Sequence, residues 1–256
     1  MVVREMLKFG IPWPMILIVL LLGWTTNVAH DPVTFSEFFG AGEQTQAFLR
    51  KGLFGHHHDI ERGSSLDFLA NAGYALSVNS VARMTPGGLA PLGPTCSSWV
   101  VLSRSGSGRS YLCPLGWKDR PWVHAGNLMS ARVALLCVLI AFAQCSFLLE
   151  QPVSSLFFRS PGWTWTIKAL LANSVKVWKQ RVLLGAFGGQ TQKAVYLESN
   201  NHGLLLALYR PLTGLDKARF SSNMALQLVK RGISKGGRRQ FTGIKAALRK
   251  SQWGPI

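Results

Sequence analysis

Acidic side chains are the scarcest feature of this sequence: 11 Asp and Glu stand against 28 Lys and Arg in 256 residues, a formal net charge of +17. That balance favours a polyanionic partner, nucleic acid or an anionic membrane surface, and makes each carboxylate informative. Cysteine is sparse as well. Cys96, Cys113, Cys137 and Cys145 form no Cys-x-x-Cys pair and no metal-ligand spacing, which argues against a disulfide scaffold and a structural zinc site. Long hydrophobic runs are also missing. Residues 15–24 and 133–143 are both too short to cross about 30 Å of hydrocarbon comfortably, and no repeat of solenoid period is present. Apolar content is nevertheless ample, at 48%, and excludes wholesale disorder.

Residues 1–30 stand apart. Arg4 and Lys8 precede an apolar stretch that opens at Ile11, is broken by Pro12 and Pro14, and closes at Trp24 before Thr25-Thr26-Asn27-Val28-Ala29. A basic start, a short apolar core and small polar residues fit a signal or targeting leader. The alternatives are a membrane anchor, in which residues 11–24 touch lipid, and an ordinary buried segment.

Residues 31–210 change character, with short apolar runs alternating with longer helical stretches. The alternation predicts an α/β domain of βαβ units around a mainly parallel sheet. Helices are expected at 44–50, 66–84 and 127–144, strands at 53–60, 89–92 and 146–150, and further helix or strand at 175–184 and 193–198. Thr85-Pro86-Gly87-Gly88 reads as the stop of the second helix. The run 133–143 reads as a helix packed on the sheet. Residues 211–256 form a basic tail, in which ten cations lie from Lys217 to Lys250 with no acid among them. Short amphipathic helices are expected there at 225–231 and 242–250. Such a tail binds phosphate backbones in a strongly salt-dependent way.

Several segments carry residues suited to chemistry. Ser36 to Glu43 ends a strand and opens a helix, and its glycines Gly40 and Gly42 let a backbone approach a ligand at a helix N-terminus. Asp59 closes the next strand, where an acid of a nucleotide-type fold accepts hydrogen bonds from ribose hydroxyls; the alternative is a turn cap. His56, His57 and His58 alternate across a strand, so no metal site is expected of them. Gly93-Pro94-Thr95-Cys96 places a cysteine past a buried strand, with Arg104 and Arg109 as cations able to depress its pKa. Cys113, Cys137 and Cys145 are expected to be buried and structural. Glu150 ends a further apolar strand, as a helix cap or a site carboxylate. Phe187-Gly188-Gly189 leads through a turn to Lys193.

In this order the segments resemble the motifs of the cytosine-5 DNA methyltransferases. Phe38-x-Gly40-x-Gly42 resembles the family's S-adenosylmethionine loop, and Asp59 sits like the acid that holds the ribose. Pro94-Thr95-Cys96 is similar to the Pro-Pro-Cys nucleophile motif and Glu150-Gln151-Pro152 to the Glu-Asn-Val/Pro motif. Phe187-Gly188 and Lys193 resemble the Tyr-Gly-x-Pro-Gln-x-Arg motif. The resemblance covers roughly residues 33–200. Cys96 to Trp99, Ser107 to Ser110 and Glu150 to Ser155 also resemble a multicopy protein family of dinoflagellate algae.

The resemblance implies a three-layer Rossmann-like methyltransferase domain and S-adenosylmethionine as cofactor, with Phe38, Gly40, Gly42 and Asp59 around it. It implies Cys96 as the nucleophile on a pyrimidine of nucleic acid, Glu150 as the hydrogen-bonding acid and Lys193 as a supporting cation. The sequence departs from the family in several places. Glu37 is one residue out of register with the family's acid, Thr95 replaces a proline, Gln151 an asparagine and Lys193 an arginine. The stretch after Lys193 is too short for the domain that reads DNA bases, which points to a degenerate enzyme. The alternatives are a non-catalytic nucleic-acid-binding relic and a secreted or membrane-tethered protein.

Overall fold

The computed structural model describes residues 33–40, 42–187 and 193–215, the backbone of two strands at 229–233 and 239–243, and the single positions Leu7, Trp13 and Ile16. Six strands form one sheet: β1 (Val33–Phe38), β2 (Gly55–His58), β3 (Met84–Leu92), β4 (Ser146–Pro152), β5 (Trp178–Leu183) and β6 (Ala194–Ser199). Their order is β2-β1-β3-β4-β6-β5. The pairs β1–β2, β1–β3 and β3–β4 are parallel, whereas β6 runs antiparallel to both β4 and β5. The chain is thus an α/β protein with a mostly parallel sheet, compatible with a Rossmann-like fold.

Alternation along the strands explains how both faces are covered. Phe147 and Leu149 of β4 join the main core, while Leu148 between them packs with Val182, Val195, Leu197 and Leu205 on the opposite face. On the main face lie helices α2 (Asn71–Ala82), α4 (Pro121–Phe142) and α5 (Pro161–Ala172). On the other, α1 (Glu43–Arg50) sets Phe48 against Phe35 of β1, ring centroids 4.9 Å apart, and α6 (His202–Ala207) supplies Leu205. The short α3 (Arg104–Ser107) belongs to the long connection between β3 and α4. By length and composition α4 is able to cross a membrane, yet Val133, Leu136, Cys137 and Ile140 are buried in the core, as expected for a helix packed on a sheet.

Several boundaries differ from expectation for local reasons. The second helix starts at Asn71 rather than near 66, because Asp67 accepts from the Leu69 N–H and Arg132 of α4 binds the Phe68 and Ala70 carbonyls and the Asn71 side chain. The expected stop at Thr85 to Gly88 lies inside β3, where a register shift between Val33 and Phe35 absorbs it as a bulge. Helix α5 is not among the expected helices, although Ser160, whose hydroxyl accepts from the Trp163 N–H, and Pro161 at the first helical position start it. The tail holds strands where helices were expected, β7 (Val229–Ile233) and β8 (Arg239–Gly243), paired antiparallel. Ile16 is buried in the main core. The rest of the leader or anchor reading falls outside the described residues.

Candidate functional site

The parallel strands β1, β2, β3 and β4 deliver their carboxyl ends to one edge of the sheet, and the chain leaves β1 and β3 toward opposite sides. Open α/β folds bind ligands at such a switch point. The Gly93 N–H donates to the Phe38 carbonyl at 3.1 Å, which fastens the loop after β3 beside the turn after β1.

That turn is organised by Glu37. Its buried carboxylate accepts from the N–H of Gly42 (3.2 Å), the N–H of Thr45 (2.8 Å) and the Thr45 hydroxyl (2.6 Å). It therefore satisfies orphan donors at the start of α1 and complements the helix dipole. The glycines follow from this arrangement. A Cβ on Gly40 would strike the Glu37 carboxylate, and one on Gly42, whose φ is +82°, would meet the His57 ring at 2.8 Å. His57 in turn places Nε2 2.8 Å from the Gly40 carbonyl oxygen. Phe39 sits at φ +63°, a sparsely populated region for a bulky residue. Phe38, expected at a cofactor, faces the core instead and stacks on His58 with centroids 4.9 Å apart.

Asp59 ends β2 half-buried, and its Oδ1 accepts from the Glu61 N–H at 2.8 Å as the cap of a short turn. The second carboxylate oxygen remains as an acceptor. Next to it, His58 is buried with neither ring nitrogen hydrogen-bonded. Burial, then the neighbouring His56 and His57, pushes its pKa down to about 4. His56 places Nδ1 2.8 Å from the Ser80 hydroxyl, which also meets Ser36. Among the described residues no group of three or more His, Cys, Asp and Glu lies close enough to hold a metal ion.

On the other side of the switch point, Cys96, Glu150 and Lys193 converge. Lys193 precedes β6, and because β6 is antiparallel to β4 this position falls at the carboxyl end of β4. Lys193 Nζ lies 3.8 Å from Glu150 Oε1, too far for a hydrogen bond, and that buried oxygen accepts none. Burial raises the Glu150 pKa and Lys193 opposes the shift. Burial also raises the Cys96 thiol; Lys193 pulls it down and Glu150 pushes it up. No family model matches the chain, and a comparison with curated proteins finds no relative.

Gln151 holds the cluster together. It is fully buried, donates to the Pro94 carbonyl at 2.7 Å and accepts from the Ser155 hydroxyl at 2.8 Å, tying the Cys96 loop to β4. Beyond Cys96, Trp99 is buried beneath Arg109, whose guanidinium carbon lies 3.5 Å from the ring centroid. Arg109 spends its donors on the Pro114 and Val123 carbonyls, the Asn127 side chain and the Ser98 hydroxyl. It braces a loop, and the cation acting on Cys96 is Lys193 rather than the expected Arg104 and Arg109. Cys113 is exposed, which corrects its expected burial; Cys137 and Cys145 are buried. The roles of Glu37, Gln151 and Thr45 were not singled out from sequence. An acid one residue before Phe38 and the Gln151-Pro152 pair were the available signals. Residues 188–192, including Gly188 of the last motif, lie outside the described residues.

Proposed function

We propose that this domain is a cytosine-5 methyltransferase-like protein of three-layer Rossmann-like architecture, whose site acts on a pyrimidine in nucleic acid. One observation carries the reading: a cysteine, a half-buried carboxylate whose Oε1 accepts no hydrogen bond and a lysine meet at the carboxyl ends of β3 and β4. S-adenosylmethionine would sit at the neighbouring β1–β2 end, with Asp59 as the acceptor for its ribose hydroxyls. When bound, it supplies an electrophilic methyl group.

The chain's own residues do the rest. Cys96 gives its proton to solvent base, and its sulfur adds to C6 of the pyrimidine as the C5=C6 double bond opens, which makes C5 nucleophilic. Glu150, whose raised pKa favours a protonated carboxyl, donates to the ring N3 as charge develops there. Lys193 stabilises the Cys96 thiolate and the anionic state of Glu150. Once C5 has taken the methyl group, with S-adenosylhomocysteine as the leaving group, the C5 hydrogen leaves as a proton to solvent base. The C6–S bond then breaks and the thiolate is restored. Gln151 positions Cys96 by anchoring Pro94.

The test is covalent trapping with a single-stranded oligonucleotide containing 5-fluorocytosine, in the presence of S-adenosylmethionine. Fluorine does not leave as the proton does, so the adduct persists. An adduct stable to denaturant and lost in Cys96→Ser is the expected result. A second reading, a nucleic-acid-binding relic without turnover, is favoured by the raised Cys96 thiol. Binding of the oligonucleotide with no adduct at any pH decides for it.

A further inference from the structure

We infer that the loop between β3 and α4 is a stacking platform for single-stranded nucleic acid, which supplies the strand-holding surface of the site. The loop presents Tyr111, 65% exposed, and Trp117, 47% exposed, to solvent, and the first turn of α4 adds Trp122 at 41%. Trp117 and Trp122 lie against neighbouring backbone, at Gly108 and Gly106, and exposed rings grouped so mark an interaction surface. Tyr111 and Trp117 are each paired with arginine. Arg104 and Arg159 stand 5.2 Å and 5.7 Å from the Tyr111 centroid, and Arg120 stands 4.9 Å from that of Trp117.

The surface is built rather than incidental. Arg109 and Asn127 nail the loop from beneath through the Pro114 and Leu115 carbonyls. Gly108, at φ +65°, lets the Trp117 ring lie against the backbone where a Cβ would come within 2.6 Å of it. Tyr111 bridges the segment after β3, which carries Cys96, and the segment that follows β4, the strand of Glu150, because Arg104 comes from one and Arg159 from the other. Through Ser98 and Trp99 the bracing Arg109 also touches the Cys96 loop.

Charge selects the occupant. From residue 93 to 120 Asp119 is the sole acid, against Arg104, Lys118 and Arg120, while Arg109 is buried in the brace beneath. Planar cations lying over exposed rings form a stack that bases can continue and phosphates can neutralise, which suits nucleic acid better than a lipid surface. Bases of a duplex are stacked on one another and offer these rings no face, whereas a single strand does. It also spares the cost of extruding the pyrimidine toward Cys96. This names the substrate form of the site proposed above and rests on that reading.

The test is fluorescence anisotropy of the full-length chain with labelled oligothymidine and with its duplex. The expected result is tighter binding of the single strand, a loss of about tenfold in Tyr111→Ala, and near-wild-type affinity in Tyr111→Phe, as base stacking on a ring requires. Thermal stabilisation by S-adenosylhomocysteine, measured in parallel, separates the two ideas. If Tyr111→Ala loses the oligonucleotide while no cofactor analogue binds, the platform stands and methyl transfer falls. If the analogue binds but Tyr111→Ala, Trp117→Ala and Trp122→Ala hold the oligonucleotide as the parent does, the platform is overturned. Preference for vesicles of phosphatidylcholine and phosphatidylserine, lost with the same substitutions, overturns it in favour of a membrane.

Discussion

At the scale of single residues, the four cysteines make the sharpest contrast. Cys113 is exposed, Cys96 is half-buried, and Cys137 and Cys145 are buried. Alkylation with peptide mapping is expected to label Cys113 first, Cys96 next and the other two only on unfolding. Burial raises the Cys96 thiol, so its labelling rate should keep rising above the pH at which an ordinary thiol levels off. Its two charged neighbours act in opposite directions. Lys193→Gln should move that profile to higher pH and Glu150→Gln to lower pH; identical profiles in both variants would dissociate Cys96 from the pair. Gln151→Leu strands the Pro94 carbonyl and the Ser155 hydroxyl. A buried group left unpaired costs about 1–3 kcal/mol, so denaturant unfolding should register the loss while Cys96 labels faster. Sequence spacing pointed to Cys96, Glu150 and Lys193, which meet. It misjudged Arg109, because closeness along the chain says nothing about which way a guanidinium turns, and this one turns inward onto Trp99.

At the scale of elements, the strands were the legible part. The apolar ends of β1, β3 and β4 stood out because these strands lie within the sheet and need apolar residues on both faces. Helix α5 was hidden for the opposite reason: tryptophans and threonines mask its period, and only the Ser160-Pro161 start marks it. The bulge in β3 was illegible because a proline and two glycines argue locally for a turn, and only pairing with β1 draws them into a strand. Element β2 carries a prediction of its own. His58 stays neutral in the folded state down to a pKa of about 4, against 6.5 unfolded, with burial as the main cause. The unfolded chain therefore takes up a proton first as pH falls, and stability drops from pH 6.5 to about 4 and levels off below. The contribution is about 3 kcal/mol over that range. Comparing urea unfolding of His58→Leu with the parent should show a shallower fall; equal slopes would mean that His58 is reached by water.

At the scale of the whole molecule, the net charge of +17 is unevenly placed. The tail from Lys217 to Lys250 concentrates ten cations, and its strand β8 lies against the Val101–Ser103 turn, which follows the Cys96 loop. The hairpin thus meets the connection that carries the exposed aromatic rings, and a polyanion held by one would pass the other. Two surfaces of this kind differ in how salt reads them. Phosphate contacts release counterions and steepen the fall of affinity with salt, by about 0.7 in slope per contact on a single strand, whereas ring stacking is insensitive to it. Removal of residues 215–256 should accordingly flatten the salt dependence of oligonucleotide binding while the preference for single strands persists. Tyr111→Ala should do the reverse, lowering affinity at every salt concentration with the slope unchanged. Measuring both variants from low to physiological salt separates the charge of the tail from the rings of the loop. A truncated chain that binds with the parent's slope would show that the tail's cations never reach the phosphates.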